Sequence, residues 1–279
     1  MIQFQQLILQ HWTEVVTVLL VLARTSAVVV SAPFWGGASS PKMVRVVVAF
    51  GLSAALYPLI PFPSAVPGQD IPSLVSLLMA LGKEALIGLT VGWSAQLLFA
   101  GMRLAGQHIE FKMGLGFTQL VDPHEGGQTS LLPALLDLLT ALVFLSVNGH
   151  HLLIRALVSS YQVFPLLGGG SSAAVGHATI STFPELLHLL IESASVMFSI
   201  ALRVSAPVVL GALLADVILG VMSRMVPQLN LFAVILPAQF AFGLLLLFLA
   251  LPLLVWFCVD QLDTFSDQSS MLFSPLKYH

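Results

Sequence analysis

Apolar residues dominate this chain in long runs that turn-forming residues separate. An α-helix needs about 20 residues, most of them apolar, to cross roughly 30 Å of hydrocarbon. Six windows meet this need, at residues 15–30, 44–60, 74–100, 131–147, 186–219 and 231–259. A seventh segment, 151–167, is marginal because it is short and contains Arg155 and Pro165, and a re-entrant or interfacial helix is the alternative for it. The pattern predicts about six membrane-crossing helices.

Glycine, serine and proline mark the breaks between these runs. Glycine and serine cluster at 35–41 and at 168–172, and prolines recur between 58 and 72. Such breaks join neighbouring helices into hairpins. The predicted fold class is therefore an all-α polytopic membrane protein, with a single integral membrane domain over residues 1–279 and a polar tail at 261–279.

Composition agrees with a bilayer as the main solvent. Hydrophobic residues make up 57% of the 279 residues and charged residues only 8%, with a mean hydropathy of +0.97. This leaves too little polar surface for a water-soluble globule. The net charge of −3 provides no basic field for phosphates, so nucleic acid is excluded as an expected ligand.

Enzyme signatures are also missing from the sequence. There is no Gly-rich phosphate loop ending in Gly-Lys-Ser/Thr, no His-Glu-x-x-His motif and no cysteine pair. His150 and His151 would suit an intramembrane hydrolase only beside a serine and an oxyanion site, which no pattern defines. The sequence predicts no enzyme, no cofactor and no metal.

One predicted helix carries polar residues at steps of three and four, which places them on one face. These residues are Glu185, His188, Glu192, Ser195, Ser199 and Arg203. A charge at mid-bilayer costs on the order of 3 kcal/mol, so the stripe needs water or a partner. Two interpretations remain open, a polar seam between helices and a pore-lining face. Asp216 is a further candidate intramembrane contact on this helix.

Lys83 and Glu84 lie inside an otherwise apolar helix. Adjacent residues point about 100° apart, so these two cannot simply neutralise each other along one face. At least one of them needs a partner from another element. Gly88 and Gly92, four residues apart, would let another helix backbone approach closely.

The segment 101–130 mixes charged, aromatic, methionine and glycine residues and predicts neither a span nor a plain linker. Its centre is a flexible apolar tip followed by a turn, formed by Met113, Gly114, Leu115, Gly116, Phe117 and Asp122. Irregular backbone at membrane depth is tolerated inside protein or beside water. A plug in an assembly and a surface loop both remain open.

Several short motifs, taken in order, resemble one known family. They are Arg24-Thr25-Ser26, the segments 82–88, 105–107, 114–117, 121–123, 148–150 and 159–165, Ala206-Pro207, and 223–232. No single motif is specific, but their ordered combination is similar to the FliR/SctT family of type III secretion export proteins. The resemblance covers nearly the whole chain, and the pattern favours the flagellar branch.

The resemblance implies a structural and gating subunit of a flagellar export gate in the bacterial inner membrane, at the basal body. Residues 1–183 would form a FliP-like part and residues 184–260 a FliQ-like helical hairpin. Implied partners are FliP-like and FliQ-like membrane proteins, FlhB-like and FlhA-like export proteins, and unfolded protein substrates.

The resemblance also implies roles for particular residues. The pore loop would cover 106–122, starting at Gly106, with Met113, Leu115 and Phe117 as an apolar seal. Lys83 and Glu84 would make contacts between helices or subunits. Arg224, Pro227 and Asn230 would form a rigid turn between the last two helices.

An ion-coupled secondary transporter is the alternative function. Its candidate site residues are Lys83, Glu84, Asp137, Glu192 and Asp216. Prolines inside the later helices could break them and create a substrate site. A transporter would work alone or as a homo-oligomer, whereas a gate subunit would need its partners.

Overall fold

The computed structural model describes residues 2–33, 41–60, 74–115, 130–166, 172–225 and 231–272. These residues form helices and no strand. The helices are α1 (Ile2–Ser31), α2 (Lys42–Leu56), α3 (Leu74–Lys112), α4 (Leu131–Ser146), α5 (Gly149–Val163), α6 (Ser172–Met225) and α7 (Leu231–Leu272), with a 3-10 turn at Tyr57–Leu59. The predicted all-α membrane fold is confirmed.

Five helices of the described chain are long and apolar enough to cross a membrane. Their apolar stretches are Glu14–Ser31, Lys42–Leu59, Leu74–Lys112, Leu187–Met222 and Pro237–Asp260. The helices α4 and α5 have only 16 and 15 residues, or about 24 and 22 Å, and pass the same test only as one broken span. By length and hydropathy, the two segments predicted at 131–147 and 151–167 together form either one broken sixth span or a re-entrant hairpin.

Asn148 and Gly149 make the break between α4 and α5. Asn148 has a φ of 59°, in the left-handed region that asparagine tolerates better than most residues. This conformation stops α4 and lets α5 begin at the next residue.

The prediction that the third span ends near residue 100 was wrong, because α3 continues to Lys112. The added part keeps a helical repeat of buried apolar residues, namely Met102, Ala105, Ile109 and Met113. Arg103 and Gln107 are exposed, and the charged residues and glycines of this part made the sequence resemble an irregular segment.

The chain divides into two compact units. The first comprises Met1–Gln96, Gly149–Ser193 and Phe265–His279, and the second comprises Leu97–Asn148 and Ala194–Thr264. Helices α3, α6 and α7 each contribute residues to both units. The FliQ-like hairpin predicted from residue 184 begins inside α6.

Close helix packing characterises the first unit. α1 contacts α2, and a Cβ added at Gly88 would lie 2.8 Å from the Cβ of Ala27 on α1 and would clash with the carbonyl of Arg24. Lipid tails are as apolar as leucine, so helix association in a membrane depends on such close van der Waals contact. The α1–α3 contact is therefore a main source of cohesion here.

Glycines also permit close contacts in the second unit. A Cβ at Gly101 of α3 would lie 2.9 Å from the carbonyl oxygen of Met197 on α6. Phe99 and Phe144 meet edge to face with ring centroids 5.5 Å apart, which joins α3 to α4.

We expect Gly88→Ala to destabilise the protein, because its methyl group would collide with α1, at a cost of about 1–3 kcal/mol. Gly82→Ala is the matched control on the same helix, since nothing lies within 4 Å of a Cβ there. Unfolding in detergent with increasing SDS measures both. Equal stability of the two variants would contradict the close α1–α3 contact.

Candidate functional site

A buried cluster of charged and polar groups joins α1, α3 and the end of α5 in the first unit. Arg24 of α1 is fully buried. Its Nε donates to Oε2 of Glu84 at 2.5 Å, its Nη1 to Oγ of Ser160 at 3.1 Å, and its Nη2 to the carbonyl oxygen of Phe164 at 2.7 Å. All three guanidinium nitrogens therefore have an acceptor.

The Tyr161 ring completes this cluster. The guanidinium carbon of Arg24 lies 4.1 Å from the ring centroid, within cation–π range. A planar guanidinium can donate in its plane and stack on its face at the same time, whereas a lysine cannot. The site is built for arginine in particular.

The energetic reason for this arrangement is the desolvation of the two charges. A buried ion pair gives little net stability, but removing one partner leaves an unpaired buried charge and costs about 3–5 kcal/mol. Arg24 and Glu84 therefore fix the register of α1 against α3. Ser160 and Phe164 extend the same constraint to α5 and the residue after it.

The sequence indicated that Lys83 or Glu84 needs an outside partner, and the structure pairs Glu84 with Arg24. Lys83 is also buried, beside Glu84. In the sequence, Arg24 is noted only as part of the motif Arg24-Thr25-Ser26, which does not identify it as the partner of Glu84. The missed signal is a lone arginine near the middle of an apolar span, to which the same cost argument applies.

A second group of polar contacts lies in the second unit. Nε of Arg103 on α3 donates to Oδ1 of Asp137 on α4 at 2.8 Å, and these side chains are 44% and 37% exposed. Asp216 of α6 accepts a 2.7 Å hydrogen bond from Nε2 of Gln239 on α7, and Lys112 lies 3.9 Å from its other oxygen. These charged groups are paired but only partly covered by the chain.

The predicted polar stripe follows α6. Glu185 lies in the helix, but its side chain is outside the described part of the structure. His188 is exposed and Glu192 partly buried. Further along, Arg203 is exposed, with its guanidinium carbon 5.7 Å from the ring centroid of Phe257.

The predicted pore loop begins as helix. Gly106 was expected at the start of a loop, but it lies in α3, where a Cβ would come within 2.7 Å of Cα of Pro133 on α4. Met113 is buried, and its side chain occupies the space beside Gly243 of α7. Gly116, Phe117 and Asp122 lie outside the described residues.

Gly114 has a defined structural role at the end of α3. Its φ of 77° is in the left-handed region, which costs glycine little. The Gly114 N–H bonds to the carbonyl of Phe111 and the Leu115 N–H to that of Glu110, both at 3.2 Å. This pair of bonds is a Schellman motif, which satisfies carbonyls at a helix end.

The predicted hairpin turn is described only at its edges. Arg224 lies in the last turn of α6, which ends at Met225. Pro227 and Asn230 are outside the described residues, and α7 begins at Leu231. Within the part of the chain that is described, no three His, Cys, Asp or Glu side chains come together as a metal site.

Comparison with known proteins decides the family. Residues 15–265 match the family of bacterial export proteins, family 1. The chain belongs to the FliR family of bacterial export proteins. It is 34% identical over 235 residues to the flagellar biosynthetic protein FliR of Bacillus subtilis, covering 82% of this chain and 83% of that protein.

Two further FliR proteins match over a similar length. The flagellar biosynthetic protein FliR of Escherichia coli is 30% identical, covering 85% of each chain, and that of Aquifex aeolicus is 32% identical, covering 86% of each. As a FliR-family member with membrane-spanning helices, the chain is a membrane-embedded component of bacterial protein export.

We expect Glu84→Gln to lower the free energy of unfolding by about 3–5 kcal/mol, because Arg24 then keeps a buried charge without a counter-charge. The double variant Arg24→Met with Glu84→Met removes both charges and should recover most of this loss. SDS unfolding in detergent measures the variants. As a control, Asp137→Asn in the half-exposed pair should cost less than about 1 kcal/mol.

A Glu84→Gln variant as stable as the Asp137→Asn control would show that the Arg24 cluster does not hold the first unit together. The same conclusion would follow if the double variant were less stable than Glu84→Gln.

Proposed function

We propose that this FliR-family chain is a structural and gating subunit of the flagellar type III export gate in the bacterial inner membrane, at the flagellar basal body. With FliP-like and FliQ-like proteins it forms a pore that admits unfolded export substrates. FlhB-like and FlhA-like export proteins are its expected neighbours. The role is not enzymatic.

The observation that carries the proposal is the outward position of charged residues on apolar helices of the second unit. The side chains of Arg103 and Asp137 are 44% and 37% exposed, and that of Asp216 is 36% exposed. In hydrocarbon each such charge would cost on the order of 3 kcal/mol. Water or a partner subunit therefore covers these groups, as a pore-forming assembly provides.

The apolar surface supports the same proposal. In the five span helices, only 17% to 44% of the residues of the apolar window are buried within the chain. Large side chains such as Leu138, Leu214 and Phe248 remain outward. Lipid can cover these side chains, and so can apolar helices of partner subunits.

The pore-closing part of the proposal concerns the end of α3. We assign the apolar seal to Met113, Leu115 and Phe117. These residues belong to the segment from Gly106 to Asp122, whose first residues, up to Lys112, are part of α3. Met113 packs within the chain beside Gly243 of α7, so among the described seal residues Leu115, in the Schellman turn, is the one that stays partly exposed.

The transporter alternative has less support from the geometry. Three of its four candidate carboxylates are engaged by separate neighbours, Glu84 by Arg24, Asp137 by Arg103 and Asp216 by Gln239. An ion-coupled site needs several such oxygens turned toward one ion.

Native mass spectrometry from detergent tests the proposal directly. The chain is co-expressed with FliP-like and FliQ-like proteins of the same bacterium, and also expressed alone. We expect a stable hetero-oligomer with a single copy of this chain, because its outward charges then gain a protein or water environment. The preparation without partners should give low yield or aggregate.

A stable monomer or homodimer that ignores both partners would overturn the proposal. In that case the transporter alternative predicts ion-coupled uptake that is lost in Asp216→Asn.

A further inference from the structure

A second buried carboxylate lies near the end of α3, in the second unit. Glu110 is 7% exposed, and its carboxylate accepts a hydrogen bond from the backbone N–H of Leu131, the first residue of α4. Ser130, at the N-cap of α4, makes no side-chain cap hydrogen bond. The first N–H groups of a helix lack intrahelical acceptors and form the positive end of its dipole. Glu110 thus caps the start of α4 from another helix.

Other contacts hold the same two helix ends together. One turn before Glu110, the backbone at Gly106 packs directly on Pro133 of α4. The carbonyl of Glu110 itself accepts the Leu115 N–H in the Schellman turn. The side chain of Glu110 therefore bonds to the start of α4, and its main-chain carbonyl bonds to the turn at the end of α3.

Packing alone does not account for a carboxylate at this position. Within the described structure, Oε2 of Glu110 is buried without a hydrogen-bond partner. A buried polar atom left unsatisfied is unfavourable, and a leucine would fill the space without that cost. The bond from Glu110 to Leu131 is the compensating interaction.

We propose that Glu110 is a positioning residue that caps α4 from α3 and so fixes the ends of these two helices next to each other. These ends flank residues 116–129 in the sequence. The importance of this for the gate rests on the proposed function, in which the segment after α3 contributes to pore closure.

Hydrogen exchange tests the cap itself, on the full-length chain in its assembled complex with FliP-like and FliQ-like proteins. The probe is the exchange rate of the backbone amides of Leu131 and Leu132. In Glu110→Leu these amides should exchange about fivefold faster, the effect expected for loss of one helix cap. Glu110→Gln keeps an acceptor oxygen and should remain within about twofold of the unmodified protein.

Glu14→Leu is the matched control, because it makes the same change at an exposed carboxylate on α1. Equal exchange rates in Glu110→Leu and Glu14→Leu would overturn the proposal. If Glu110→Leu does not assemble, Glu110→Asp takes its place in the comparison, because it retracts the carboxylate by one methylene. Faster amide exchange in Glu110→Asp than in Glu110→Gln supports the cap, and equal exchange rates in these two variants overturn it.

Ion conductance in planar bilayers, expressed per assembled complex, separates this inference from the proposed function. If both hold, Glu110→Leu leaks ions and Glu110→Gln does not. Faster exchange with unchanged conductance would support the cap at Glu110 and contradict the assignment of the pore closure to this segment. A role in folding alone would change the yield of complexes but not the conductance of each one.

Discussion

Burial of the Arg24 guanidinium in an apolar helix bundle is the constraint on which the first unit depends. The group cannot lose its charge, so the fold must supply acceptors for it on every side. Glu84, Ser160 and the Phe164 carbonyl provide them from α3 and from α5 and its C-terminal end. Close contact at Gly88 brings α1 near enough for these short bonds. The hydrogen bonds of Arg24 and the close packing at Gly88 therefore depend on each other.

The second unit treats its charges differently. Arg103, Asp137 and Asp216 are paired within the chain but remain about one third or more exposed. In a protein that lies in lipid, such groups have a consequence beyond their own chain, because hydrocarbon cannot solvate them. In the proposed export assembly, water or partner subunits would cover these groups. In the first unit the buried guanidinium of Arg24 finds its acceptors within the chain, whereas the charged pairs of the second unit are only partly covered by the chain.

Much of the fold could be predicted from hydropathy, because the cost of burying an unpaired backbone in lipid leaves helices as the only choice for long apolar runs. The end of α3 could not, since Arg103 and the glycines interrupt the apolar run although the helical repeat continues through Ile109. The free-energy cost of burying the charge of Glu84 predicted that it needs a partner, but the identity of that partner depends on tertiary packing. The cap at Leu131 was equally hidden, because it joins residues 21 positions apart through a side chain and a backbone group.

The central claim is that the partly exposed Arg103–Asp137 pair of the second unit does not contact lipid in the assembled complex. A nitroxide at Ala141, one turn from Asp137, tests it after Cys258→Ala removes the only native cysteine. A label at Leu142, an exposed leucine of α4, is measured in the same assembled complex for comparison. Collision rates of the label are measured with two relaxation agents, a water-soluble nickel complex and lipid-soluble oxygen. The account predicts that the label at Ala141 collides with the nickel complex, or that the protein shields it from both agents. Strong collision with oxygen and none with nickel, as for a lipid-facing residue, would contradict it.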